Sequence, residues 1–127
     1  EQLPKLKDLL KKMNIFIIEQ QGIEADDLIG SISKKFDIPT IIVSGDRDLL
    51  QLIDENSEVH LTKKGVTVVD CMTLDSRKEK MGLEPYQFVE LKALMGDASD
   101  NIPGVSGIGE KTAKQLVCDY QNIDNLY

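Results

Sequence analysis

The sequence GDASDNIPGVSGIGEKTA, residues 96–113, places two kinds of chemistry next to each other. Asp97 and Asp100 open it with two carboxylates, which are the ligands that hard divalent cations prefer. The remainder is rich in glycine and runs into a helical pattern at 109–120. Because the acids and the glycine-rich turn are continuous in sequence, we expect them to form one functional region.

The glycine-rich part fits the spacing of a helix-hairpin-helix element. Glycine allows backbone N–H groups to approach a phosphate at the N-terminus of a helix, and Ala113 is small enough for two helices to cross closely. Contacts of this kind do not depend on base sequence. The alternative is a glycine-rich turn that binds nothing. The predicted nucleic-acid contacts are Gly107, Gly109, Lys111, Thr112 and Lys114.

Two other stretches contain grouped acids: Glu24-Ala25-Asp26-Asp27 and Asp46-Arg47-Asp48. Two divalent ions at close range need several carboxylates, since the charges of the ions must be offset. Seven acids could supply them and also carry the catalysis. The predicted metal ligands and catalytic residues are Glu24, Asp26, Asp27, Asp46, Asp48, Asp97 and Asp100.

Each acidic stretch, taken alone, has an explanation that involves no metal. Acids at 24–27 would be favoured by the positive end of a helix dipole. Asp46 could cap the next helix, and Asp97 and Asp100 could close an ordinary turn. The occurrence of three such groups, two of them after apolar strands, favours metal binding.

The apolar runs at 15–18 and 40–43 predict strands buried on both faces, as in a parallel sheet. A helix at 24–36 connects them, so the three elements predict a right-handed βαβ unit. Ligands collect beyond the carboxyl ends of such strands. Further predicted elements are helices at 4–13, 49–53, 73–81, 85–95 and 109–120, and an edge hairpin from 58–61 and 66–69. The predicted domains are an α/β core at 1–84 and a helical region at 85–127.

The composition sets limits on function. Among 127 residues, 22 are acidic and 15 basic, a formal net charge of −7, which argues against nonspecific nucleic-acid binding unless bound metals neutralise the acids. Cys71 and Cys118 lack CxxC spacing, which favours a reduced intracellular protein without zinc. No apolar run reaches membrane-spanning length, and we expect a cytoplasmic monomer.

Taken together, these motifs resemble the 5′ nuclease family, which includes the 5′-to-3′ exonuclease domain of bacterial DNA polymerase I and the flap endonucleases. The motifs that carry the resemblance lie at 24–27, 43–52, 61–65, 91–105 and 107–113. The resemblance implies a partial PIN-like α/β core with a parallel sheet and an edge hairpin, followed by an all-helical helix-hairpin-helix element. It covers almost the whole chain.

The resemblance also implies a chemistry: hydrolysis of DNA 5′ ends and flaps, of nicked or gapped duplex, and of RNA primers, with two Mg²⁺ or Mn²⁺ ions. Glu24, Asp26 and Asp27 would hold the first ion with help from Asp46. Asp48, Asp97 and Asp100 would surround the second. Main-chain carbonyls at Val105 and Ile108 would bind K⁺. A DNA polymerase fused at the C-terminus and a bacterial, nucleoid-associated location are further implications.

One departure from the family pattern affects the expected activity. Family members begin with a strand bearing a further metal-binding aspartate and then a basic helical arch, and neither precedes Glu1 here. Positioning and preorganised charge dominate this chemistry, so we expect a fragment with weak or no activity alone. The alternative is a non-catalytic module that binds duplex DNA. A PIN-type RNase is disfavoured because those domains generally lack the hairpin.

Overall fold

The computed structural model describes residues 2–63 and 68–127, without the side chains of Arg77, Lys78 and Met81. It divides into two compact units, Glu1–Lys35 and Phe36–Tyr127. This division falls elsewhere than the predicted boundary after residue 84, which stays a prediction. Within the described residues, no helix combines the length and the apolar character needed to span a membrane.

The first unit contains two helices, α1 (Gln2–Lys12) and α2 (Ala25–Lys35). Both agree with the predicted helices to within two residues. The predicted strand at 15–18 is wrong, because these residues adopt no strand and Phe16 is 94% exposed. A strand is defined by hydrogen bonds to a neighbour, and no described strand pairs with this run. An apolar run alone does not supply that neighbour.

A three-stranded sheet forms the first half of the second unit. β1 (Thr40–Ser44) pairs in parallel with β2 (Ser57–Thr62), and β2 pairs antiparallel with β3 (Val69–Met72). The predicted strands at 40–43 and 58–61 are confirmed. The described part of the predicted strand at 66–69 is confirmed only at Val69, where β3 begins. Residues 64–67, which include part of the predicted turn at 62–65, lie outside the described residues.

The expectation that β1 is buried on both faces is wrong. Ile42 is buried, whereas Ile41 and Val43 on the opposite face are more than half exposed. The reason is that the described elements of the second unit cover only one face of β1. On that face of the sheet, β2 packs against a 3₁₀ helix, Asp48–Leu52, whose Leu49 and Leu50 are buried.

Helices form the rest of the second unit: α3 (Leu74–Met81), α4 (Gln87–Met95), α5 (Glu110–Tyr120) and the short α6 (Ile123–Leu126). Thr73 caps α3 by accepting the Ser76 N–H at 3.2 Å, as its sequence position predicts. Between α4 and α5 lies an antiparallel pair of two-residue strands, β4 (Gly96–Asp97) and β5 (Ile102–Pro103).

α4 and α5 cross over a buried apolar cluster. Ala113 is fully buried in this cluster, as expected for a small residue between two packed helices. Gln87 ties the two helices together, since its side-chain amide donates to the carbonyls of Val117 at 3.3 Å and Gln121 at 3.2 Å. The cluster consists of Leu83, Phe88, Leu91, Leu94, Ala113 and Val117.

Candidate metal centre and adjoining hairpin

Three carboxylates from two distant segments converge in the second unit. Oxygen atoms of Asp48, Asp97 and Asp100, here called the acid cluster, all lie within 4.8 Å of one another. Asp48 opens the 3₁₀ helix after β1, and the other two follow α4. The buried Leu49 and Leu50 fix the position of Asp48 from below. An arrangement of hard oxygen donors this close matches what Mg²⁺ and Mn²⁺ require.

Lys92 of α4 contacts two members of the acid cluster. Its Nζ lies 2.8 Å from Asp48 Oδ1 and also pairs with Asp97 Oδ2. These groups are mostly withdrawn from solvent, with side-chain exposures of 26% for Lys92 and 13% for Asp97. The ammonium therefore occupies a position between carboxylates that a metal ion could take.

The charges at the acid cluster are strongly coupled. The hydrogen bond from Lys92, followed by those from the Ser99 hydroxyl and backbone, holds the pKa of Asp97 well below its usual range. Burial alone would lower the pKa of Lys92, but its bonds to Asp48 and Asp97 outweigh burial and raise it. Asp97 thus stays ionised and Lys92 stays protonated at neutral pH.

Two glycines allow the Asp97 segment to fold back on α4. Gly96 ends the helix at a φ of +76°, and a Cβ on it would lie 2.3 Å from the Gly104 nitrogen. A Cβ on Gly104 would lie 2.3 Å from the Met95 carbonyl. Real Cβ atoms do not approach backbone this closely. Glycine at both positions is therefore what brings the acid cluster and the hairpin to the same end of α4.

Asp46 has a local role and still lines the site. Its Oδ1 accepts the Asp48 N–H at 2.9 Å, and its own N–H donates to Ser44 Oγ at 3.0 Å. This is the turn-closing role that its position also allows. Asp46 and Arg47 line a cavity of about 520 Å³ together with the acid cluster and Lys92.

The remaining predicted ligands belong to the first unit. Glu24 precedes α2, and its carbonyl accepts the Leu28 N–H at 3.3 Å. Asp26 and Asp27 occupy the first turn of α2, and all three side chains are exposed. Acids at this end of a helix are favoured by its dipole. Their role as metal ligands stays a prediction.

The hairpin before α5 is pinned to α4 by its backbone. The Val105 N–H donates to the Leu94 carbonyl at 2.8 Å, and the Val105 carbonyl accepts the Ile108 N–H at 3.0 Å. Gly107 has a φ of +82°, and no atom lies within 4 Å of where its Cβ would be. The same open space surrounds Gly109, the residue before α5.

The first turn of α5 presents polar side chains beside this opening. Lys111 and Thr112 are exposed, and Lys114 is partly buried. The N-terminal N–H groups of an 11-residue helix and two lysines form a surface suited to an anion. The predicted contacts with a nucleic-acid backbone stay a prediction.

Three contributors to the site were missed from the sequence: Lys92, Ser99 and Gly104. Lys92 lies five residues before Asp97, which is not a spacing that places two side chains on one face of a helix, and Asp97 follows the end of α4 at Met95. No local signal links Lys92 to Asp48. Gly104 serves a contact with Met95 that only the fold reveals.

Comparisons with known proteins cover both units. The family model described as "5'-3' exonuclease, N-terminal resolvase-like domain" matches residues 1–82, and "5'-3' exonuclease, C-terminal SAM fold" matches 83–127. DNA polymerase I of Lactococcus lactis is 46% identical over 132 residues, covering all of this chain and 15% of that protein. The 5'-3' exonuclease of Bacillus subtilis is 43% identical over 122 residues, covering 94% of this chain and 41% of that protein.

Among solved structures, bacteriophage T5 5′-exonuclease with bound zinc has a TM-score of 0.80 at 29% identity, covering 98% of this chain and 46% of that one. A T5 flap endonuclease complex with DNA and metal ions aligns with a TM-score of 0.79. The chain thus spans well under two thirds of these relatives. With both family models matched in order across its length, the chain belongs to the 5′-3′ exonuclease family.

Proposed function

We propose that this chain carries the metal-binding acids and the duplex-gripping hairpin of a 5′-3′ exonuclease and flap endonuclease that hydrolyses DNA phosphodiester bonds. The observation that carries the proposal is the convergence of Asp48, Asp97 and Asp100 within 4.8 Å, in the same unit as the hairpin. A metal centre next to a phosphate-binding turn is what backbone hydrolysis requires.

The acid cluster fits a divalent ion, Mg²⁺ or Mn²⁺. Its donors are all carboxylate oxygens, and Lys92 already stands in their midst as a cation. A divalent ion there would supply positive charge for the scissile phosphate and lower the pKa of an attacking water. Asp97 supports this function because its lowered pKa keeps it ionised.

A second ion belongs to the proposal. Glu24, Asp26 and Asp27 would hold the first of two metals, and the acid cluster the second. Support comes from the T5 relative, which binds divalent metal ions, and from the exposure of these acids at the start of α2.

The hairpin would bind the DNA duplex through its backbone. Gly107 and Gly109 leave open space for a phosphate, and Lys111, Thr112 and Lys114 would add charge and hydrogen bonds. Carbonyls of Val105 and Ile108 would hold a K⁺ ion at this turn. These contacts would position a substrate without reading its sequence.

The wider biology is inferred from the relatives. Because the chain spans 15% of DNA polymerase I from Lactococcus lactis, the complete enzyme would extend beyond these residues, with a polymerase as its proposed partner. The proposed substrates are 5′ flaps, nicked or gapped duplex and RNA primers. The proposal includes a monomer that acts on nucleoid DNA in the cytoplasm.

The alternative is a module that binds duplex DNA without cleaving it. The turn-closing role of Asp46 and the local explanation for the acids of α2 favour it. Under this alternative the hairpin binds DNA and the acid cluster is structural.

Cleavage of a labelled 5′-flap DNA by this chain with Mn²⁺ separates the two functions. We expect slow cleavage that Asp97→Asn abolishes and that Lys111→Ala preserves at saturating DNA. Duplex binding with no cleavage, at any Mn²⁺ concentration and with the chain in excess, would favour the module.

A further inference from the structure

The acid cluster already contains a cation of its own. Lys92 Nζ lies 2.8 Å from Asp48 Oδ1 and contacts Asp97 Oδ2, so one ammonium bridges carboxylates from two separate segments. A divalent ion would need the same oxygens at about 2.1 Å. An ammonium and a metal ion cannot both occupy that position.

The negative charge of the acid cluster explains why a divalent ion would still bind there although Lys92 already contacts the acids. Three carboxylates within 4.8 Å repel one another, and one ammonium neutralises only part of their charge. A divalent ion brings twice that charge to the same oxygens. Lys92 therefore stabilises the metal-free site and competes with the metal that replaces it.

Lys92 has a long, flexible side chain that is 26% exposed. It borders a mostly apolar cavity of about 330 Å³, which is lined by Phe88, Val89, Ala93 and Ile102 and also by the three acids of the cluster. Its Nζ lies 5.9 Å from the centre of the Phe88 ring. Rotation about the side-chain bonds would carry the ammonium off the carboxylates when a metal ion takes its place.

We propose that Lys92 is a built-in counter-cation of the acid cluster, which a divalent ion displaces from Asp48 and Asp97 on binding. Lys92 is thus a positioning residue that sets metal affinity and holds the ligands together in the metal-free protein. The inference rests on the proposed metal site at the acid cluster, and it concerns a step that precedes DNA binding.

The test measures Mn²⁺ affinity and heat stability of the 127-residue chain in the absence of DNA. In Lys92→Met, which keeps the apolar stem, we expect the Mn²⁺ dissociation constant to fall roughly tenfold, because a competing unit charge at contact distance is removed. The unfolding temperature in EDTA should drop by roughly 4 °C, since the carboxylates lose their counter-charge.

The decisive readout is stability with saturating Mn²⁺. If Lys92 contacts the acids only when the metal is absent, the unfolding temperatures of the wild type and Lys92→Met coincide once metal is bound. If Lys92 had a purely structural role, Lys92→Met would lower the unfolding temperature both in EDTA and with saturating Mn²⁺. Lys80→Met is the matched control, because Lys80 pairs with Asp70 at 2.7 Å outside the acid cluster; Mn²⁺ affinity should stay unchanged.

Unchanged or weaker Mn²⁺ binding in Lys92→Met overturns the inference. If Lys92→Met does not fold, Lys92→Gln takes its place, and the Lys92 Nζ resonance in the ¹⁵N-lysine-labelled wild type should shift with the same midpoint as Mg²⁺ binding. An unshifted resonance likewise counts against displacement. Wild type that binds no Mn²⁺, or binds it equally after Asp97→Asn, overturns the proposed metal site itself and the inference with it.

Discussion

The chain has two groups of three acids, and they differ in what holds them in place. Glu24, Asp26 and Asp27 are neighbours in sequence at the start of α2, where a helix dipole alone favours them. The acid cluster gathers Asp48 with Asp97 and Asp100 across the fold, against their mutual repulsion. Acids that are adjacent in sequence need no ligand to explain them, whereas acids assembled by tertiary structure need a cation.

The largest effect is expected from a change that separates the segments forming the acid cluster, because their convergence is what distinguishes this cluster from the acids of α2. In Gly104→Ala the added methyl group would lie 2.3 Å from the Met95 carbonyl, so β5 must move away from α4. We expect a loss of about 1–3 kcal/mol or more in the free energy of unfolding, with weaker Mn²⁺ binding. Circular dichroism and calorimetric titration measure the two effects.

Gly109→Ala is the matched control for that change. Gly109 has a φ of −93° and no atom within 4 Å of its missing side chain. We expect only a small loss of stability, because Gly109 is the N-cap of α5 and alanine is a poorer N-cap residue, and a Mn²⁺ affinity that matches the wild type. An equal loss of stability in both variants would mean that the close approach at Gly104 is not the cause.

A change within the acid cluster should have the next largest effect. Asp97→Asn removes a charged ligand while keeping its shape, and we expect Mn²⁺ affinity to fall at least about tenfold, because even supporting residues of metal sites have effects of that size. Calorimetric titration measures the affinity. An unchanged dissociation constant would place the metal elsewhere.

The corresponding change at α2 should have a smaller effect. Asp27→Asn weakens the favourable charge at the start of the helix, which costs about 0.5 kcal/mol at an exposed position, and the unfolding midpoint in urea measures the loss. As a proposed ligand of the other ion, Asp27 should affect only a second, weaker step of Mn²⁺ binding. If Asp27→Asn instead removed the same Mn²⁺-binding step as Asp97→Asn, the two groups of acids could not be treated as separate sites.

A substitution of Asp70 should have the smallest effect. It tests whether pairing of a carboxylate with lysines is by itself enough to make a metal site. Hydrogen bonds from Lys80 and then Lys63 lower the pKa of Asp70 from its ordinary 3.8. The stabilisation is therefore complete above pH 3.8 and is lost as the pH falls towards the lowered value. We expect Asp70→Asn to be slightly less stable at neutral pH, with the difference narrowing in acid.

The same variant should leave Mn²⁺ affinity unchanged, because Asp70 has two lysines as partners and is not a member of the acid cluster. Thermal unfolding from pH 2 to 7 follows the stability difference, and calorimetric titration follows the metal. If the stability difference between the wild type and Asp70→Asn widened as the pH fell, the result would contradict a lowered pKa of Asp70 in the folded protein.

The helices of this chain could be predicted because their signals are local. Apolar spacing located α2, α4 and α5 to within two residues, and Gly82 and Gly96 marked helix ends with positive φ. The strand predicted at 15–18 failed because a strand depends on a partner rather than on its own pattern. The exposed face of β1 could not be predicted either, because burial of a face depends on which elements pack over it.

The sequence by itself determined which residue types were available: the seven acids, the glycine-rich hairpin and the buried Ala113 that lets α4 and α5 cross. Only the tertiary structure decided that Asp48 joins Asp97 and Asp100 and that Lys92 bridges the cluster. Composition and periodicity reflect forces between residues close in the chain. Convergence of charges that are distant in sequence depends on how the packed elements contact one another. Here Gly96 and Gly104 allow two backbone segments to approach closely.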